Sequence, residues 1–319
     1  MPRRQRGMVL LLVLLIVVLL TTLLTEFAFS TLVDLRLTET FRDSTKAYYL
    51  ARGGVTAGSM LLKEDRNRHD SLNEAWHQGV TSYPVGDGTI SIRIEDLGSK
   101  LAVNSLVIGN DPQAAVVDRF YRFFSVLELP APADPAELTA ALIDWLDSGD
   151  DTYREIRVDD RRIPVIGAES AYYLGLSPAY RCKNGPLHTL DELVNVKGFT
   201  PEVIKRITPY LAVNGDTRVN INTAGLEVLM ALNSGVDRGK AQKIVDYRAE
   251  TPVDDLAQLE GILPPEVFSA LKTLGNLDML GTTSNTYRIE AHARVNDGQR
   301  RIVADVDKLT SKVLFLKVD

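Results

Sequence analysis

The stretch MPRRQRGMVLLLVLLIVVLLTTLLTE, residues 1–26, decides how the rest of the chain is placed. Three arginines precede Gly7, and no charged residue follows it until Glu26. At about 1.5 Å per helical residue, residues 7–25 span roughly the hydrocarbon core of a bilayer. Arginines before the apolar run and acidic residues after it predict a cytoplasmic N-terminus and a body outside the cytoplasm. We therefore predict one membrane-spanning helix over residues 8–27.

A cleaved secretory signal peptide is the alternative for this segment. Ala28, Phe29 and Ser30 form a rough small-x-small cleavage site. The apolar run is long for a signal peptide, however, and a charged and a bulky residue, Glu26 and Phe27, directly precede the cleavage site. A retained helix is therefore favoured.

The leader itself, residues 1–7, is short and basic and ends in Gly7 directly before the apolar helix. It resembles the leader of type IV prepilins, which a dedicated peptidase cuts after the glycine on the cytoplasmic side. The resemblance implies a cut between Gly7 and Met8, methylation of the new amine of Met8, and retention of the helix as anchor and assembly surface. Most pilins have a glutamate at the fifth residue after the cut, where Leu12 stands here. Because Leu12 cannot pair with a neighbouring subunit's amine, it favours a place at the end of a filament.

Beyond the membrane, helical periodicity continues to about Lys63, and Gly53-Gly54 predicts a local loosening of that helix. Strand-like alternation follows far apart in the sequence, at residues 89–95, 287–295, 302–307 and 312–318. A lone strand and a distant hairpin are not stable apart, so we expect them to share one sheet.

The predicted fold class is α+β. A long membrane-spanning helix packs on a small antiparallel, pilin-like sheet that a large helical domain interrupts. The predicted units are the leader 1–7, the transmembrane helix 8–27, a first pilin-like part 28–105, an inserted helical domain 106–282 and a second pilin-like part 283–319.

Composition narrows the possible functions. The net charge of −6 argues against a nucleic-acid partner, because phosphate binding needs clustered Lys and Arg. Cys182 is the only cysteine, so it cannot form an internal disulfide and is predicted to be a small buried residue. No local arrangement brings a nucleophile and a base together, so we predict that the protein is not an enzyme. A zinc site is not expected from the scattered histidines, His69, His77, His188 and His292.

The segment LIDWLDSGDD, residues 142–151, concentrates carboxylates at the end of a predicted helix. Further acids follow at Asp159, Asp160 and Glu169. Calcium takes six to eight oxygen ligands from a flexible loop, and this segment offers both the oxygens and the loop. The spacing does not match an EF-hand, and a solvated acidic loop is the alternative.

Three segments, residues 190–207, 219–248 and 256–271, each join two short helices through a turn at one glycine. With VNINTA (219–224), they resemble helix-hairpin-helix or SAM-like repeats, whose DNA-binding turns use a second glycine to hold phosphate. That second glycine is absent here, and Asp237 stands at its place in the middle copy. Residues 183–282 carry 10 Lys and Arg against 13 Asp and Glu, a net charge of −3. A packing module is favoured, with a membrane-anchored DNA receptor as the alternative.

Taken together, these motifs resemble the general secretion pathway protein K family, the largest minor pseudopilins of the type II secretion system. The resemblance runs essentially end to end. It rests on the QRG leader, Leu12, LIDWLDSGDD, GAESAYYLGLSPAYRCKNGPLHTLDELVNVKGFT (167–200) and VNINTAGLEVLMAL (219–232).

The resemblance implies an inner-membrane protein that crosses once, with its N-terminus in the cytoplasm and its body in the periplasm. It implies processing by the prepilin peptidase and assembly with minor pseudopilins I and J, in a complex that caps and initiates the pseudopilus of the major pseudopilin. That pseudopilus helps to export folded proteins. A minor pilin of a type IV pilus shares the leader and is a second alternative.

The resemblance also implies calcium in the helical domain. Its expected ligands are Asp147, Asp150, Asp151 and Glu169, with Asp144 as a further candidate. Ser170 stands where relatives often have a second acid, which leaves the number of ligands open.

Overall fold

The computed structural model describes residues 3–159 and 161–319, with side chains from residue 7 onward. Met1 and Pro2 of the predicted leader, and Asp160 of the acidic segment, lie outside the described residues.

Helices occur along most of the described chain. They are α1 (Arg3–Glu64), α2 (Ala75–Gln78), α3 (Ala114–Val126), α4 (Pro135–Leu146), α5 (Ser170–Leu174), α6 (Pro201–Ile207), α7 (Leu226–Ala231), α8 (Arg238–Glu250) and α9 (Pro265–Asn276). Short 3₁₀ turns lie at Leu97–Ser99, Val103–Leu106, Leu190–Asn195, Thr208–Tyr210 and Leu256–Leu259.

Strands fall into one main sheet and several two-stranded ribbons. The main sheet contains β1 (Val80–Val85), β2 (Gly88–Asp96), β11 (Thr286–Val295), β12 (Gly298–Asp307) and β13 (Val313–Val318). The ribbons contain β3 (Leu101–Ala102), β4 (Val107–Ile108), β5 (Asp111–Pro112), β6 (Glu155–Val158), β7 (Arg161–Pro164), β8 (Leu211–Ala212), β9 (Val219–Asn220) and β10 (Leu280–Gly281).

The main sheet brings together the strand-like segments that are far apart in sequence. Its order is β1-β2-β11-β12-β13, and every neighbouring pair is antiparallel. Ile94 lies opposite Ile289, and Ile92 lies opposite Ala291, which sets the register across the gap in sequence. β1 was not predicted, because Pro84 and the shift in register between Val80 and Tyr83 hide its alternation.

Helix α1 begins at Arg3 and continues without a break to Glu64. It is the one helix of the described chain that is long and apolar enough to cross a membrane, with a mean hydropathy of 3.1 in its most apolar window and none of that window buried. The predicted loosening at Gly53-Gly54 is wrong. Gly54 instead lets α1 approach the sheet, because a Cβ there would overlap Ile90 Cδ1. Gly58 plays the same part against Ile289, whose Cγ2 would lie 3.0 Å from an added Cβ.

The chain between β2 and β11 forms the head, and α1 with the main sheet forms the frame. The head has its own apolar core, which contains residues such as Phe120, Leu142 and Leu229. The frame has a separate core, in which α1 packs against Ile94 and Ile289. The head was predicted to be helical, and the structure adds short ribbons of strand to it.

The contacts of α1 show which end of the sheet carries the head. Gly298, the first residue of β12, packs so closely on Asp43 that a Cβ would overlap the main chain of α1. Ile289 contacts Gly58, which lies farther from the membrane along α1. Because β2 ends at Asp96, beyond Ile94 at that far end, the chain enters the head on the side of the sheet away from the membrane.

Candidate metal centre

The acidic segment begins on α4, whose start and end are fixed by local signals. Asp134 caps the helix, since its Oδ1 accepts from the N–H groups of Ala136 and Glu137 at 2.9 and 3.0 Å. Pro135 occupies the first turn, where it costs no hydrogen bond. The helix ends at Leu146, and the main-chain N–H of Asp147 closes its last turn on Ile143 O at 2.9 Å. Asp144 and Asp147, three residues apart, therefore lie on one side of the helix end.

The opposite wall is the extended segment that leads into α5 and places Glu169 directly before that helix. Gly167 contacts Asp144 so closely that a Cβ would overlap the carboxylate. Behind this wall, Cys182 Sγ lies 3.4 Å from Asp144 O and 4.0 Å from Ala168 O. Cys182 is buried as predicted, and burial raises the pKa of its thiol to about 12. It therefore acts as a neutral packing residue.

The two walls bring three carboxylates together. Asp144, Asp147 and Glu169 each offer an oxygen, and these oxygens lie within 4.8 Å of one another. The three residues are only 0%, 9% and 3% exposed. Three buried acids in contact repel one another unless protons or a cation neutralise them. We call this group the acidic pocket.

Hydrogen bonding in the acidic pocket is incomplete. Tyr153 N–H donates to Asp144 Oδ1 at 2.8 Å, and Gly149 N–H donates to Asp147 Oδ1 at 2.9 Å. Asp144 Oδ2 and both carboxylate oxygens of Glu169 are buried and have no hydrogen-bond partner within the described chain. Buried polar atoms are nearly always paired, so three unpaired oxygens at one place indicate a missing partner.

The electrostatics agree with the geometry. Burial, followed by the charges of Asp144 and Asp147, raises the pKa of Glu169 to about 8. Burial raises the pKa of Asp144 to about 6, and burial also raises the pKa of Asp147. The charge of Lys197, whose Nζ donates to Ile166 O at 2.9 Å, lowers the pKa of Asp144 by less than burial raises it.

These residues fit a calcium ion. All three carboxylates are hard oxygen donors, which suit calcium or magnesium and do not suit a structural zinc site. Asn184 is a further candidate that the sequence prediction missed, because its Oδ1 is also buried without a partner in the described chain. Its Nδ2 donates to Gly149 O, which ties Asn184 to the acidic loop. The only local sign of this role was the Asn-Gly pair at 184–185.

The remaining predicted ligands lie at the rim. Asp150 and Asp151 are exposed and are not among the three acids whose oxygens meet. Their charges still reach the acidic pocket, since Asp150 contributes to the raised pKa of Glu169 and Asp151 to that of Asp147. Their role as ligands stays a prediction.

A second acidic group, Asp65, Asp70 and Glu74, lies where α1 meets the sheet. It already contains a lysine. Lys308 Nζ lies 2.9 Å from Asp65 Oδ2 and 2.5 Å from Asp70 Oδ1, and His69 contacts Glu74 at 3.3 Å. This group therefore differs from the acidic pocket and needs no added ion.

In two of the three turns compared with DNA-binding hairpins, a side chain of the protein occupies the start of the following helix. Asp237 Oδ1 accepts from Lys240 N–H at 2.9 Å at the start of α8. Thr200 Oγ1 accepts from Val203 N–H at 3.3 Å at the start of α6. Amides that hold phosphate in DNA-binding hairpins are thus already bonded here. The predicted repeat class itself stays a prediction.

Comparison with known proteins identifies the family. Two family models, both described as "Type II secretion system (T2SS), protein K", match residues 99–216 and 219–275. The type II secretion system protein K of Aeromonas hydrophila is 28% identical over 94% of this chain and 92% of its own length. That of Klebsiella pneumoniae is 31% identical over 70% of this chain and 68% of its own length.

A solved structure supports the same fold. A chain in the crystal structure of the GspK–GspI–GspJ complex from the enterotoxigenic Escherichia coli type 2 secretion system superposes with a TM-score of 0.60 at 19% identity. The match covers 91% of this chain and 99% of the other. The DNA-receptor and type IV pilus alternatives are not favoured, since these relatives are named for type II secretion. The chain therefore belongs to the type II secretion system protein K family and is a minor pseudopilin.

Proposed function

We propose that this minor pseudopilin assembles with minor pseudopilins I and J into a complex that caps and initiates the pseudopilus and thereby supports export of folded proteins. The position of the head carries the proposal. It stands on the end of the sheet away from the membrane, beyond the last turn of α1. A subunit with so large a head fits the end of a filament better than a closely wound interior. The printed description of the solved relative, a complex of GspK, GspI and GspJ, supports the choice of partners.

The exposed surface of α1 supports assembly through helix packing. Apolar side chains are exposed along the predicted span, and the exposure continues past it through Leu37 and Phe41, which are 64% and 75% exposed. At about 1.5 Å per residue, residues 8–41 measure about 50 Å, which exceeds a hydrocarbon core of about 30 Å. The part beyond the membrane needs partner helices to cover it.

The same helix supports a location in the inner membrane, with the N-terminus in the cytoplasm and the body in the periplasm. The arginines at residues 3, 4 and 6 stand on one side of the apolar run, and Glu26 and Asp34 stand on the other. Cleavage between Gly7 and Met8 by the prepilin peptidase would leave the whole apolar surface in place. Leu12, 59% exposed, would then present an aliphatic side chain where other pilins present a carboxylate.

A calcium ion in the acidic pocket would brace the head. It would join the end of α4 to the start of α5 through Asp144, Asp147 and Glu169, with the Asn184 side-chain oxygen and the rim acids Asp150 and Asp151 available to complete the set. The unpaired oxygens of Asp144 and Glu169 support this proposal. The role is structural, because no bond is made or broken there.

The test is whether the full chain is extracted from membranes together with I and J. We expect a detergent-stable complex of the three proteins when they are produced together. Phe41→Arg should weaken that complex, because it places a charge on the exposed apolar surface of α1. Thr40→Arg, at the neighbouring polar and exposed position, is the matched control and should leave it intact. Extraction of the wild-type chain alone, in cells whose secretion depends on it, would contradict the proposal.

A further inference from the structure

The boundary between frame and head is polar, although each side has an apolar core of its own. Boundaries of this kind usually allow the two sides to move, unless a large apolar contact fixes them. Here a buried hydrogen-bond network crosses the boundary instead. It is centred on Asp96, the last residue of β2, and on the VNINTA segment of the head.

Asp96 is 3% exposed, and both of its carboxylate oxygens have donors. Gly98 N–H donates to Oδ1 at 2.7 Å. Oδ2 accepts from the hydroxyl of Thr223, from Ser284 Oγ at 2.8 Å and from Asn220 Nδ2 at 3.0 Å. Thr223 and Asn220 belong to the head, Asp96 ends β2 of the frame, and Ser284 leads into β11. The carboxylate therefore joins both connections between head and frame.

Asn220 extends the network to Asp70, in the segment that follows α1. Its Nδ2 lies 2.9 Å from the main-chain oxygen of Asp70 and 3.1 Å from Ser284 Oγ. Asp70 is fully buried, and its Oδ2 accepts from Ser284 N–H at 2.7 Å. Lys308, between β12 and β13, binds the other oxygen of Asp70. One asparagine of the head thus contacts the last residue of β2, the segment that follows α1 and the segment that leads into β11.

Asn222 binds the VNINTA segment to the rest of the head. Its Nδ2 donates to Val253 O at 2.9 Å, and its Oδ1 accepts from Val253 N–H at 2.8 Å. The next residue, Thr223, then points its hydroxyl at Asp96. Side chains that suggested a DNA-binding hairpin in the sequence are directed into the protein, where phosphate cannot reach them.

We propose that VNINTA, together with Asp70, Asp96 and Ser284, is a lock that fixes the orientation of the head relative to α1. Because buried polar networks permit few alternative arrangements, the lock makes frame and head one rigid body. A displacement of the membrane helix during filament assembly then moves the head by the same amount. Only this use of the rigidity rests on the proposed function.

The test is a distance measurement between spin labels on the frame and the head of the full chain in detergent. Gln299→Cys on β12 and Lys243→Cys on α8 supply exposed attachment sites, in a Cys182→Ala background. Wild type should give one narrow distance distribution. Asn220→Ala should broaden it, because Asp70 O and Asp96 Oδ2, both outside the head, lose a donor.

Asn73→Ala is the matched control. Asn73 also donates across the boundary, to Ala249 O at 3.2 Å, but it is an exposed contact and its loss should leave the distribution narrow. Hydrogen exchange provides a second readout. In Asn220→Ala the amides of Gly98 and Ser284 should exchange about tenfold faster, as expected for the loss of one buried hydrogen bond, while both cores stay protected.

Two results would overturn the lock. One is a distribution in Asn220→Ala as narrow as that of wild type, and the other is loss of protection throughout the head, which would make Asn220 a folding residue of the head alone. Thr223→Val removes only the hydroxyl donor and repeats the test if Asn220→Ala does not fold. Binding of I and J is measured in parallel. Failure of that binding in wild type rejects the proposed function without affecting the distance result.

Discussion

Two groups of buried acids in this protein differ in how their charge is satisfied. In the lock, Asp96 accepts four hydrogen bonds. The two carboxylate oxygens of Asp70 accept from Ser284 N–H and from Lys308 Nζ. In the acidic pocket, Asp144 Oδ2 and both oxygens of Glu169 have no partner within the described chain. The first group is therefore complete as folded, whereas three oxygens of the second have no hydrogen-bond donor among the described residues.

The difference shows that burial alone does not identify a cation site. Burial raises the pKa of Asp96 to about 6 in the lock, and burial with neighbouring charge raises the pKa of Glu169 to about 8 in the acidic pocket. Both groups contain perturbed acids, so the pKa does not separate them. The unpaired oxygens do, because a structural network leaves few of them.

The largest effect expected from this comparison is stabilisation by calcium. A ligand present at about 100 times its Kd stabilises the folded state by about 2.7 kcal/mol. The wild-type chain is first freed of metal with a chelator, which is then removed. Addition of calcium should therefore raise its melting temperature. Glu169→Gln should remove most of that increase. Asp96→Asn should be less stable overall yet keep the calcium response, and a lost response in Asp96→Asn alone would reverse the assignment of the two groups.

Gly167→Ala should also disturb the acidic pocket, because the added methyl would overlap Asp144 Oδ2. Overpacking of this kind costs about 1–3 kcal/mol, so we expect lower stability and weaker calcium binding by calorimetry. Gly185→Ala is the matched control at the same site, since its nearest neighbour outside the adjacent residues, Lys183 O, would lie 3.9 Å away. Equal behaviour of the two variants would mean that the acidic pocket has room that the structure does not show.

The pH dependence of stability should separate the metal-free and calcium-bound forms. The pKa of Glu169 lies at about 8 in the folded chain, against an ordinary value of 4.5. Between these values the folded state holds a proton that the unfolded state has lost, so the free energy of unfolding falls as pH rises from 4.5 to about 8. Thermal unfolding in chelator should show this fall, and Glu169→Gln should reduce it. A wild-type stability that rises over this range, relative to Glu169→Gln, would contradict the raised pKa.

The smallest effects on calcium binding are expected at Asp150 and Asp151, the exposed acids at the rim of the acidic pocket. Asp150→Asn and Asp151→Asn each remove an exposed charge, and interactions of exposed charges are worth about 0.2–1 kcal/mol. Calcium affinity should therefore fall by at most about fivefold in each. A loss of calcium affinity as large as that in Glu169→Gln would show that the segment with Asp150 and Asp151 closes on the ion and that both residues are direct ligands.

Much of the frame was predictable because its signals are local. The alternation at residues 89–95 and 287–295 indicated strands, and these became β2 and β11 with Ile94 opposite Ile289. The predicted ligands Asp147 and Glu169 do meet, together with Asp144, although they are separated by a loop and a ribbon. Here the family resemblance supplied the pairing, since composition and spacing alone favoured a solvated acidic loop.

The lock was not predictable from the same patterns. Asp96 and Asn220 are distant in sequence, and neither belongs to a periodic pattern that places it against the other. VNINTA resembled a hairpin motif, and its polar residues gave no sign of facing inward. Asn184 was missed for a similar reason, because its side-chain oxygen becomes significant only when the fold buries it beside Gly149.

Membrane anchoring after prepilin processing is the central claim about this chain, and the mass of its N-terminal peptide tests that claim most directly. The protein is extracted from membranes of cells that contain the secretion system. A chain that begins with N-methylated Met8 is the predicted result, because Gly7 directly precedes the apolar helix. A chain that begins at Met1, or near Thr31 after signal-peptide cleavage, would contradict it.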